Sequence, residues 1–464
     1  MTDTVRIVTP VDGSVFAERP VAADDTLSSL VERSRRAQAE WRSETVERRA
    51  ELVGSFVGAM LSMGEEIVPE LAWQMGRPVS SGAGELRGFE ERARHMISIA
   101  PDALSPIVPE VSPGFDRFIT REPLGVVLVV APWNYPFLTA VNSVVPALMA
   151  GNSVMLKHAS QTLLSGERFQ IAADRSGLPP GLVANVVMSH AQTSGLLASG
   201  AVDQVNFTGS VEAGRVIERA AAGTFTGVGL ELGGKDPAYV RHDAELASAV
   251  ESIVDGTLFN SGQSCCGIER VYVHRSLFAD FADGAAALAA TYELGNPLDP
   301  ATTLGPMVHG RAADAVRQQT ASAIADGART LVDGRATASD QPGSPYLAPQ
   351  ILIGVDHTMN VMREESFGPV VGIMAVDSDD EAVALMNDSQ YGLTASIWTG
   401  DEEAVRAIGP KVETGTIFMN RADYLDPGLA WSGVKNTGRG ITLSELGYST
   451  LTRPKSYHLR VRVD

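Results

Sequence analysis

The chain has 464 residues, of which 44% are hydrophobic and 20% charged, and its formal net charge is −19 at pH 7. This length exceeds one compact core, so at least two domains are expected. The negative charge argues against a nucleic acid partner, and the lack of an apolar run of about 18 residues argues against a membrane partner. The charged N-terminus, Met1 to Pro10, does not resemble a signal peptide, and the adjacent Cys265 and Cys266 cannot form a long-range disulfide framework, so a cytoplasmic protein is predicted.

The predicted elements begin with helical sequence from Asp24 to about Met63 and a Pro-rich connector from Pro101 to Pro113. A continuous apolar run, Val126 to Val130, then indicates a strand buried on both faces. The helix predicted from Pro136 to Ala150 ends at Gly151 as a C-cap glycine. Further strands are predicted at Ser153 to Lys157, Val183 to Met188, Val202 to Phe207 and Gly227 to Leu230. Short strands alternating with helices predict an α/β fold with a doubly wound parallel sheet.

A second α/β region is predicted after Lys235. Helical sequence from Ala244 to Phe259 precedes a strand at Arg270 to His274 and a long helix from Leu277. The tail, Thr452 to Val463, alternates polar and apolar residues. Such a pattern predicts an edge strand that can pair with another subunit.

Polar motifs follow the predicted strands of the first region at their carboxyl ends, where ligands of doubly wound sheets bind. These motifs are Ala131-Pro-Trp-Asn134, Lys157-His-Ala-Ser160, Phe207-Thr-Gly-Ser210 and Glu231-Leu-Gly-Gly-Lys235. Gly209 and Ser210 precede a helical run, where backbone N–H groups can hold a pyrophosphate. The usual Gly-x-Gly-x-x-Gly dinucleotide fingerprint is absent.

Three side chains near these motifs are of types that carry covalent chemistry, and each has a structural alternative. Cys265 ends a Gly- and Ser-containing loop and could act as a nucleophile; the alternative is a small buried side chain. Glu231 could act as a general base; the alternative is a capping or salt-bridged residue. Asn134 could donate a hydrogen bond to an oxyanion; the alternative is a turn residue.

Taken together, the motifs resemble the aldehyde dehydrogenase superfamily, from roughly Asp24 to the C-terminus. The resemblance rests on Pro132-Trp-Asn134, Lys157, Phe207-Thr-Gly-Ser210, Glu231-Leu-Gly-Gly234, Gly262-Gln-Ser-Cys265, Gly295-Asn-Pro, Gly305-Pro-Met and Glu364-Glu-Ser-Phe-Gly-Pro369. The final motif of many relatives, Pro-Phe-Gly-Gly-x-Lys, is altered here to Leu429-Ala-Trp-Ser-Gly-Val-Lys435.

The resemblance implies an α/β fold with three parts. These are a Rossmann-type cofactor domain (residues 1–104 and 123–232), an α/β catalytic domain (233–431) and a small β bridge for oligomerisation (105–122 and 432–464). It also implies a homodimer or homotetramer, with Thr452 to Val463 crossing between protomers.

The resemblance further implies oxidation of an aldehyde to a carboxylic acid with NAD or NADP. Cys265 would be the nucleophile, Asn134 with the Cys265 backbone N–H the oxyanion hole, and Glu231 the base that activates water. No metal ion is predicted. The implied cofactor contacts are Ala131, Pro132, Trp133, Lys157, Ser160, Phe207, Gly209, Ser210, Leu232, Glu365 and Phe367.

Ser160 stands where many NAD-preferring relatives have glutamate. A carboxylate there bonds the ribose 2′-hydroxyl and repels a 2′-phosphate, so serine removes that repulsion. Alternatively, Ser160 caps the following helix. The prediction therefore stays at NAD or NADP.

The substrate pocket implied by the resemblance is partly aromatic, which suits an apolar or aromatic aldehyde. Its residues are Tyr135, Leu138, Phe259, Ser264, Cys266, Arg421, Tyr424, Leu425 and Trp431. Arg421 is the discordant member. Pointing inward, it would pair with the carboxylate of a semialdehyde; pointing outward, it would be a solvated surface residue.

Two narrower enzyme functions stay open as alternatives, a semialdehyde-specific dehydrogenase and a coenzyme A-acylating one. Acylating relatives commonly lack the hydrolytic glutamate, so Glu231 argues against the second. A non-catalytic scaffold would have little reason to keep Asn134, Glu231 and Cys265 together.

Overall fold

The computed structural model describes residues 3–332 and 339–462. Its first half combines a β-hairpin, a helical layer and a parallel sheet. In chain order the elements are β1 Thr4–Val8, β2 Val15–Pro20, α1 Asp24–Trp41, α2 Val46–Leu61, α3 Gly64–Met75, α4 Val79–Ala103, β3 Phe115–Pro123, β4 Val126–Ala131, α5 Pro136–Met149, β5 Ser153–His158, α6 Leu163–Ser176, β6 Val183–Asn185, α7 His190–Ala198, β7 Gln204–Thr208, α8 Val211–Ala221 and β8 Gly227–Glu231.

The second half contains a larger sheet and the C-terminal strand. Its elements are β9 Asp236–Val240, α9 Leu246–Leu258, β10 Ile268–His274, α10 Phe278–Ala289, α11 Gly310–Ala325, β11 Arg329–Thr330, β12 Gln350–Ile353, α12 Asn360–Arg363, β13 Val370–Val376, α13 Asp379–Asn387, β14 Tyr391–Gly392, β15 Thr394–Trp398, α14 Glu402–Ile408, β16 Thr416–Met419, β17 Val434–Lys435, β18 Gly438–Arg439, α15 Ser444–Ser449 and β19 Thr452–Arg460. Within the described ranges, no single helix is long and apolar enough to cross a membrane.

The first sheet has the strand order β18-β8-β7-β4-β5-β6, and its strands are parallel except for β18. Its central strand β4 is buried along its whole length. Val127 and Val129 pack with helices α2, α4, α5 and α6 on one face. On the other face, Val126, Leu128 and Val130 pack in a separate core. Burial on both faces explains the continuous apolar run in the sequence.

The second sheet has the order β11-β12-β13-β10-β9-β15-β16, parallel except for β11. With helices packed on these sheets, the predicted α/β class is confirmed. A separate two-stranded ribbon pairs β19 antiparallel with β3, from Thr452 opposite Pro123 to Arg460 opposite Phe115. The predicted edge strand thus forms, and its last predicted residue, Val463, lies outside the described residues. The domain boundaries stay a prediction.

Three local predictions differ from the structure. The helical stretch from Asp24 is divided into α1 and α2, because Thr45 accepts a hydrogen bond from the Arg48 amide and caps a new helix. Helix α4 continues through Pro101 into the predicted connector. The strand predicted from Val183 ends at Asn185.

Candidate active site

Two cavities meet at the side chains of Cys265 and Glu231. The first has a volume of about 330 Å³ and is lined by α4, α5 and the loop of residues 259–267, which we call the thiol loop. The second, about 400 Å³, follows the carboxyl ends of the strands in the first sheet. Both side chains line both cavities. A small molecule in the first cavity and a dinucleotide in the second can therefore reach the same thiol.

Every residue predicted to contact the cofactor lines the second cavity, which we call the cofactor cleft. These are Ala131, Pro132, Trp133, Lys157, Ser160, Phe207, Gly209, Ser210, Leu232, Glu365 and Phe367. The rings of Trp133 and Phe367 meet edge to face, with their centroids 5.7 Å apart. His190 and Ala213 also line the cleft and were not predicted.

The donor groups of the cleft fit a dinucleotide. Lys157 is only 5% exposed, and within the described residues its ammonium group has no hydrogen-bond or ion-pair partner. Burial lowers the pKa of Lys157. Ser210 caps α8 by accepting a hydrogen bond from the Ala213 amide at 3.3 Å, so the start of a helix opens on the cleft. Helix N-termini of this kind favour phosphate groups.

Glu365 reaches the cleft from the second half of the chain. Its carboxylate accepts a hydrogen bond from the Gly234 amide at 3.1 Å. A Cβ atom on Gly233 would collide with this carboxylate, so a side chain there would displace Glu365 from its present position. Burial raises the pKa of Glu365 to about 8.

Ser160 is exposed in the cofactor cleft. It is the first residue of a short 3-10 helix whose N-cap is Ala159, and the N-cap of the following α6 is Thr162. Neither cap makes a side-chain hydrogen bond. The predicted alternative that Ser160 caps the following helix is therefore wrong.

The thiol loop is tied to Asn134, which lies in the turn between β4 and α5. The Asn134 amide Nδ2 donates to the Gln263 carbonyl at 3.1 Å. Asn260 Nδ2 donates to the Asn134 and Gln263 carbonyls at 3.3 and 3.2 Å, and Asn260 has a left-handed backbone with φ of 53°. An amide carries two N–H groups, and the second N–H of Asn134 has no acceptor among the described residues.

Glu231 ends β8 and is held by two hydroxyl groups. Thr208 donates to one carboxylate oxygen at 3.0 Å and Thr442 to the other at 2.6 Å. Burial raises the pKa of Glu231. Within the described residues Glu231 has no ion pair, so the salt-bridge alternative from the sequence is wrong, and the raised pKa suits a general base.

The first cavity, which we call the aldehyde cavity, is lined by eight of the nine predicted pocket residues: Tyr135, Leu138, Phe259, Ser264, Cys266, Tyr424, Leu425 and Trp431. The prediction that Arg421 lines the pocket is wrong. Arg421 is exposed, and its guanidinium lies 3.6 Å from the centroid of the Tyr424 ring. Left-handed backbone at Asn420 and Asp423 turns the loop so that Asp423, not Arg421, faces the cavity.

Asp423 ties Cys266 into the wall of the aldehyde cavity. Its Oδ1 atom accepts hydrogen bonds from Cys266 Sγ at 2.8 Å and from Ser264 Oγ at 3.2 Å. Cys266 is 3% exposed, and the neighbouring Cys265 thiol together with burial raises the pKa of Cys266 well above its usual range. Burial also raises the pKa of Asp423, to about 6.

Helix α4 contributes to the site in a way that the sequence motifs do not predict. Arg77, just before it, and Glu85, on it, form a buried ion pair. Arg77 also donates to the Asn134 carbonyl and, at 3.2 Å, to Asn260 Oδ1, while Glu85 accepts the first amides of α5 from Phe137 and Leu138 at 2.9 and 3.0 Å. This pair therefore holds the Asn134 turn in place.

Arg92, also on α4, lines the aldehyde cavity. The signal in the sequence that could have indicated it is the spacing of Gly84, Gly88 and Arg92, which places all three on one helical face. A side chain at Gly88 would collide with Leu138 of α5, so the glycine lets the two helices approach closely.

Comparison with known proteins agrees with this geometry. Residues 1–457 match the Aldehyde dehydrogenase family. The chain is 30% identical to the succinate semialdehyde dehydrogenase (NAD(P)+) Sad of Escherichia coli (strain K12), over 95% of this chain and 94% of that protein. It is 32% identical to the geranial dehydrogenase of Castellaniella defragrans, over 90% and 87% of the two chains.

Among solved structures, the succinic semialdehyde dehydrogenase of Streptococcus pyogenes in complex with NADP+ superposes with a TM-score of 0.93 at 27% identity, covering 98% of this chain and 99% of that one. The two curated relatives are named for different aldehydes, and neither is named for acylation of coenzyme A, so the comparisons by themselves favour neither narrower alternative. The prediction of NAD or NADP as cofactor is confirmed. The chain belongs to the aldehyde dehydrogenase family and is an NAD(P)-dependent enzyme that oxidises aldehydes.

Proposed function

We propose that Cys265 is the nucleophile and that the product is released as a free carboxylic acid. The observation that carries this proposal is that Cys265 and Glu231 line both the aldehyde cavity and the cofactor cleft. The Cys265 thiolate adds to the aldehyde carbon, which becomes tetrahedral while its oxygen becomes negatively charged. The free N–H of Asn134 and the backbone N–H of Cys265 stabilise that oxygen.

In this proposal the residues of the cofactor cleft hold the dinucleotide. Lys157 binds the adenosine ribose, Ser210 and the start of α8 bind the pyrophosphate, and Glu365 with Phe367 binds the nicotinamide ribose region. When bound, NAD or NADP accepts the hydride that leaves the tetrahedral carbon. Loss of that hydride leaves a thioester on Cys265.

Glu231 then acts as the general base. It removes a proton from the water that attacks the thioester, and the acid leaves as the Cys265 thiolate forms again. The raised pKa of Glu231, caused mainly by burial, supports this role because it makes the carboxylate a stronger base than an ordinary glutamate. Two hydroxyl donors, Thr208 and Thr442, hold the carboxylate in a fixed position before the water binds.

The test compares two alanine variants of neighbouring cysteines. Cys265→Ala is expected to abolish formation of reduced cofactor from an aldehyde while dinucleotide binding, followed by fluorescence quenching, stays intact. Cys266→Ala is the matched control, and it is expected to retain turnover without coenzyme A. Turnover by Cys265→Ala at the rate of the parent enzyme would contradict the proposal.

We further propose that the chain forms a homo-oligomer through the ribbon of β3 and β19. The ribbon stands apart from both large sheets, and the side chains of β19 are largely exposed. Light scattering coupled to gel filtration tests this: a dimer or tetramer is expected, and a monomer would contradict it. The cytoplasmic location stays a prediction.

A further inference from the structure

The aldehyde cavity contains a buried arginine that forms no ion pair with any of the described residues. Arg92 is 8% exposed and lines the cavity. Its Nη1 atom donates to the Leu138 carbonyl at 2.7 Å and to Asn142 Oδ1 at 3.4 Å. Within the described residues, its Nε and Nη2 atoms find no acceptor and no carboxylate forms an ion pair with it. A buried cation is costly unless an anion or hydrogen-bond acceptors balance it.

A second polar group beside Arg92 is also unsatisfied. Asn142 is 1% exposed and lines the same cavity, and its Nδ2 atom has no hydrogen-bond partner among the described residues. Its Oδ1 atom is turned toward Arg92, which leaves the amide nitrogen as a donor without an acceptor. Two neighbouring side chains of α4 and α5 therefore present only donors, and buried donors of this kind are normally bonded.

The carboxylates that line the same cavity already have other partners. Glu85 pairs with Arg77, and Glu91 accepts a hydrogen bond from the Tyr424 hydroxyl. Asp423 accepts from Cys266 and Ser264, on the thiol loop. Glu231 accepts from two threonine hydroxyls. None of them forms an ion pair with Arg92 in the described structure, so the Nε and Nη2 donors of Arg92 stay open toward the cavity.

We propose that Arg92 and Asn142 form a subsite for an anionic group, a carboxylate, on the aldehyde substrate. This inference rests on the proposed function, because the same substrate must place its aldehyde carbon at Cys265. The fork of a guanidinium matches a carboxylate. Asn142, which accepts from Arg92, positions this fork. The two bonds that Arg92 makes to α5 hold the guanidinium in position, so its remaining donors are preorganised.

The same cavity can hold both the aldehyde group of the substrate, at Cys265, and its carboxylate, at Arg92. Apolar side chains, among them Leu138 and Trp431, line the space that Arg92 shares with Cys265. They suit the methylene chain of an ω-carboxy aldehyde. Arg421, which is exposed and stacked on Tyr424, is outside this subsite.

The experiment measures kcat/KM for 4-oxobutanoate, 5-oxopentanoate and 6-oxohexanoate beside butanal, pentanal and hexanal. The parent enzyme is expected to prefer the oxo acid over the alkanal of equal length, by at least about 10-fold for one length. Arg92→Met is expected to lower kcat/KM for that oxo acid by about 100-fold, mainly through KM, and to change the alkanal value by less than about 3-fold.

Arg94→Met is the matched control, since Arg94 is on the same helix but lies exposed with Glu90. It is expected to leave both substrate classes unchanged. Asn142→Asp supplies a second variant that tests the subsite if Arg92→Met does not fold, because the new carboxylate competes for Arg92. It is expected to raise KM for the oxo acid and to spare the alkanal.

Two results would overturn the subsite. One is a preference of the parent enzyme for the alkanal at every length, and the other is an equal loss for oxo acid and alkanal in both Arg92→Met and Asn142→Asp. Absence of turnover for both classes in the parent enzyme is a different result, because it would contradict the proposed function itself.

Discussion

The replacement Glu231→Gln separates the two halves of the proposed reaction. Glutamine has nearly the same shape as glutamate, and its carbonyl oxygen can still accept the hydrogen bond from Thr442 or Thr208. The substitution removes the base, while a side chain of nearly the same size still occupies its place. Formation of the thioester on Cys265 does not need this base, whereas hydrolysis does.

The expected magnitude follows from the role of Glu231. A positioned general base contributes about 10²- to 10⁴-fold, so steady-state turnover of Glu231→Gln is expected to fall by that factor. The first turnover should survive, giving a burst of reduced cofactor close to one equivalent per active site. The pH dependence has a defined sign, because burial raises the pKa of Glu231. As pH falls, the parent enzyme should lose its base above the pH at which an ordinary glutamate is protonated, and the variant should lack this acid limb.

Stopped-flow absorbance of the reduced cofactor measures both phases, with the parent enzyme as reference. Loss of both the burst and the steady-state turnover would show that Glu231 acts before the thioester forms. Unchanged steady-state turnover would refute the reasoning altogether. Addition of hydroxylamine, which cleaves thioesters, should restore turnover of the variant if the acyl-enzyme accumulates.

Three other substitutions test the contacts around the thiol and the cofactor. Asn134→Ala should lower kcat/KM by about 10²- to 10³-fold in steady-state assays, because one oxyanion donor is lost. Ser160→Glu should raise KM for NADP and spare NAD, since the new carboxylate repels a 2′-phosphate. Glu85→Gln should leave Arg77 buried without its partner, which costs about 3–5 kcal/mol of stability for a broken buried pair. Thermal unfolding should detect that loss, and kcat should fall together with it because the Asn134 turn is released.

Each of these predictions has its own contrary result. Full activity of Asn134→Ala would show that another group stabilises the oxygen. An unchanged KM for NADP in Ser160→Glu would place the 2′-phosphate away from this position. A Glu85→Gln protein with the parent's melting temperature would mean that water or another residue balances Arg77.

The sequence predicts the parts of the site that lie within a few residues of one another. Pro132-Trp-Asn134 and Glu231-Leu-Gly-Gly234 follow apolar strands directly, so they are expected at the carboxyl edge of the sheet, and the structure places them at the cofactor cleft. The run Val126 to Val130 indicates a doubly buried strand for the same local reason.

Other parts depend on packing between distant segments and could not be read in advance. The Arg77 contact with the Asn134 carbonyl spans 57 residues. The role of Arg92 depends on how closely α4 approaches α5 at Gly88. Asp423 rather than Arg421 lines the aldehyde cavity because the backbone is left-handed at Asn420 and Asp423. The residue types permit this conformation but do not require it.

The most direct test of the central claim is to locate the acyl group. Glu231→Gln, mixed with cofactor and an aldehyde and quenched in acid, should carry one acyl group per chain. Fragmentation of the peptide that contains both cysteines should place it on Cys265, and Cys265→Ala in the same background should carry none. An acyl group on Cys266, or none in a protein that still shows the burst, would contradict the assignment of Cys265 as the nucleophile.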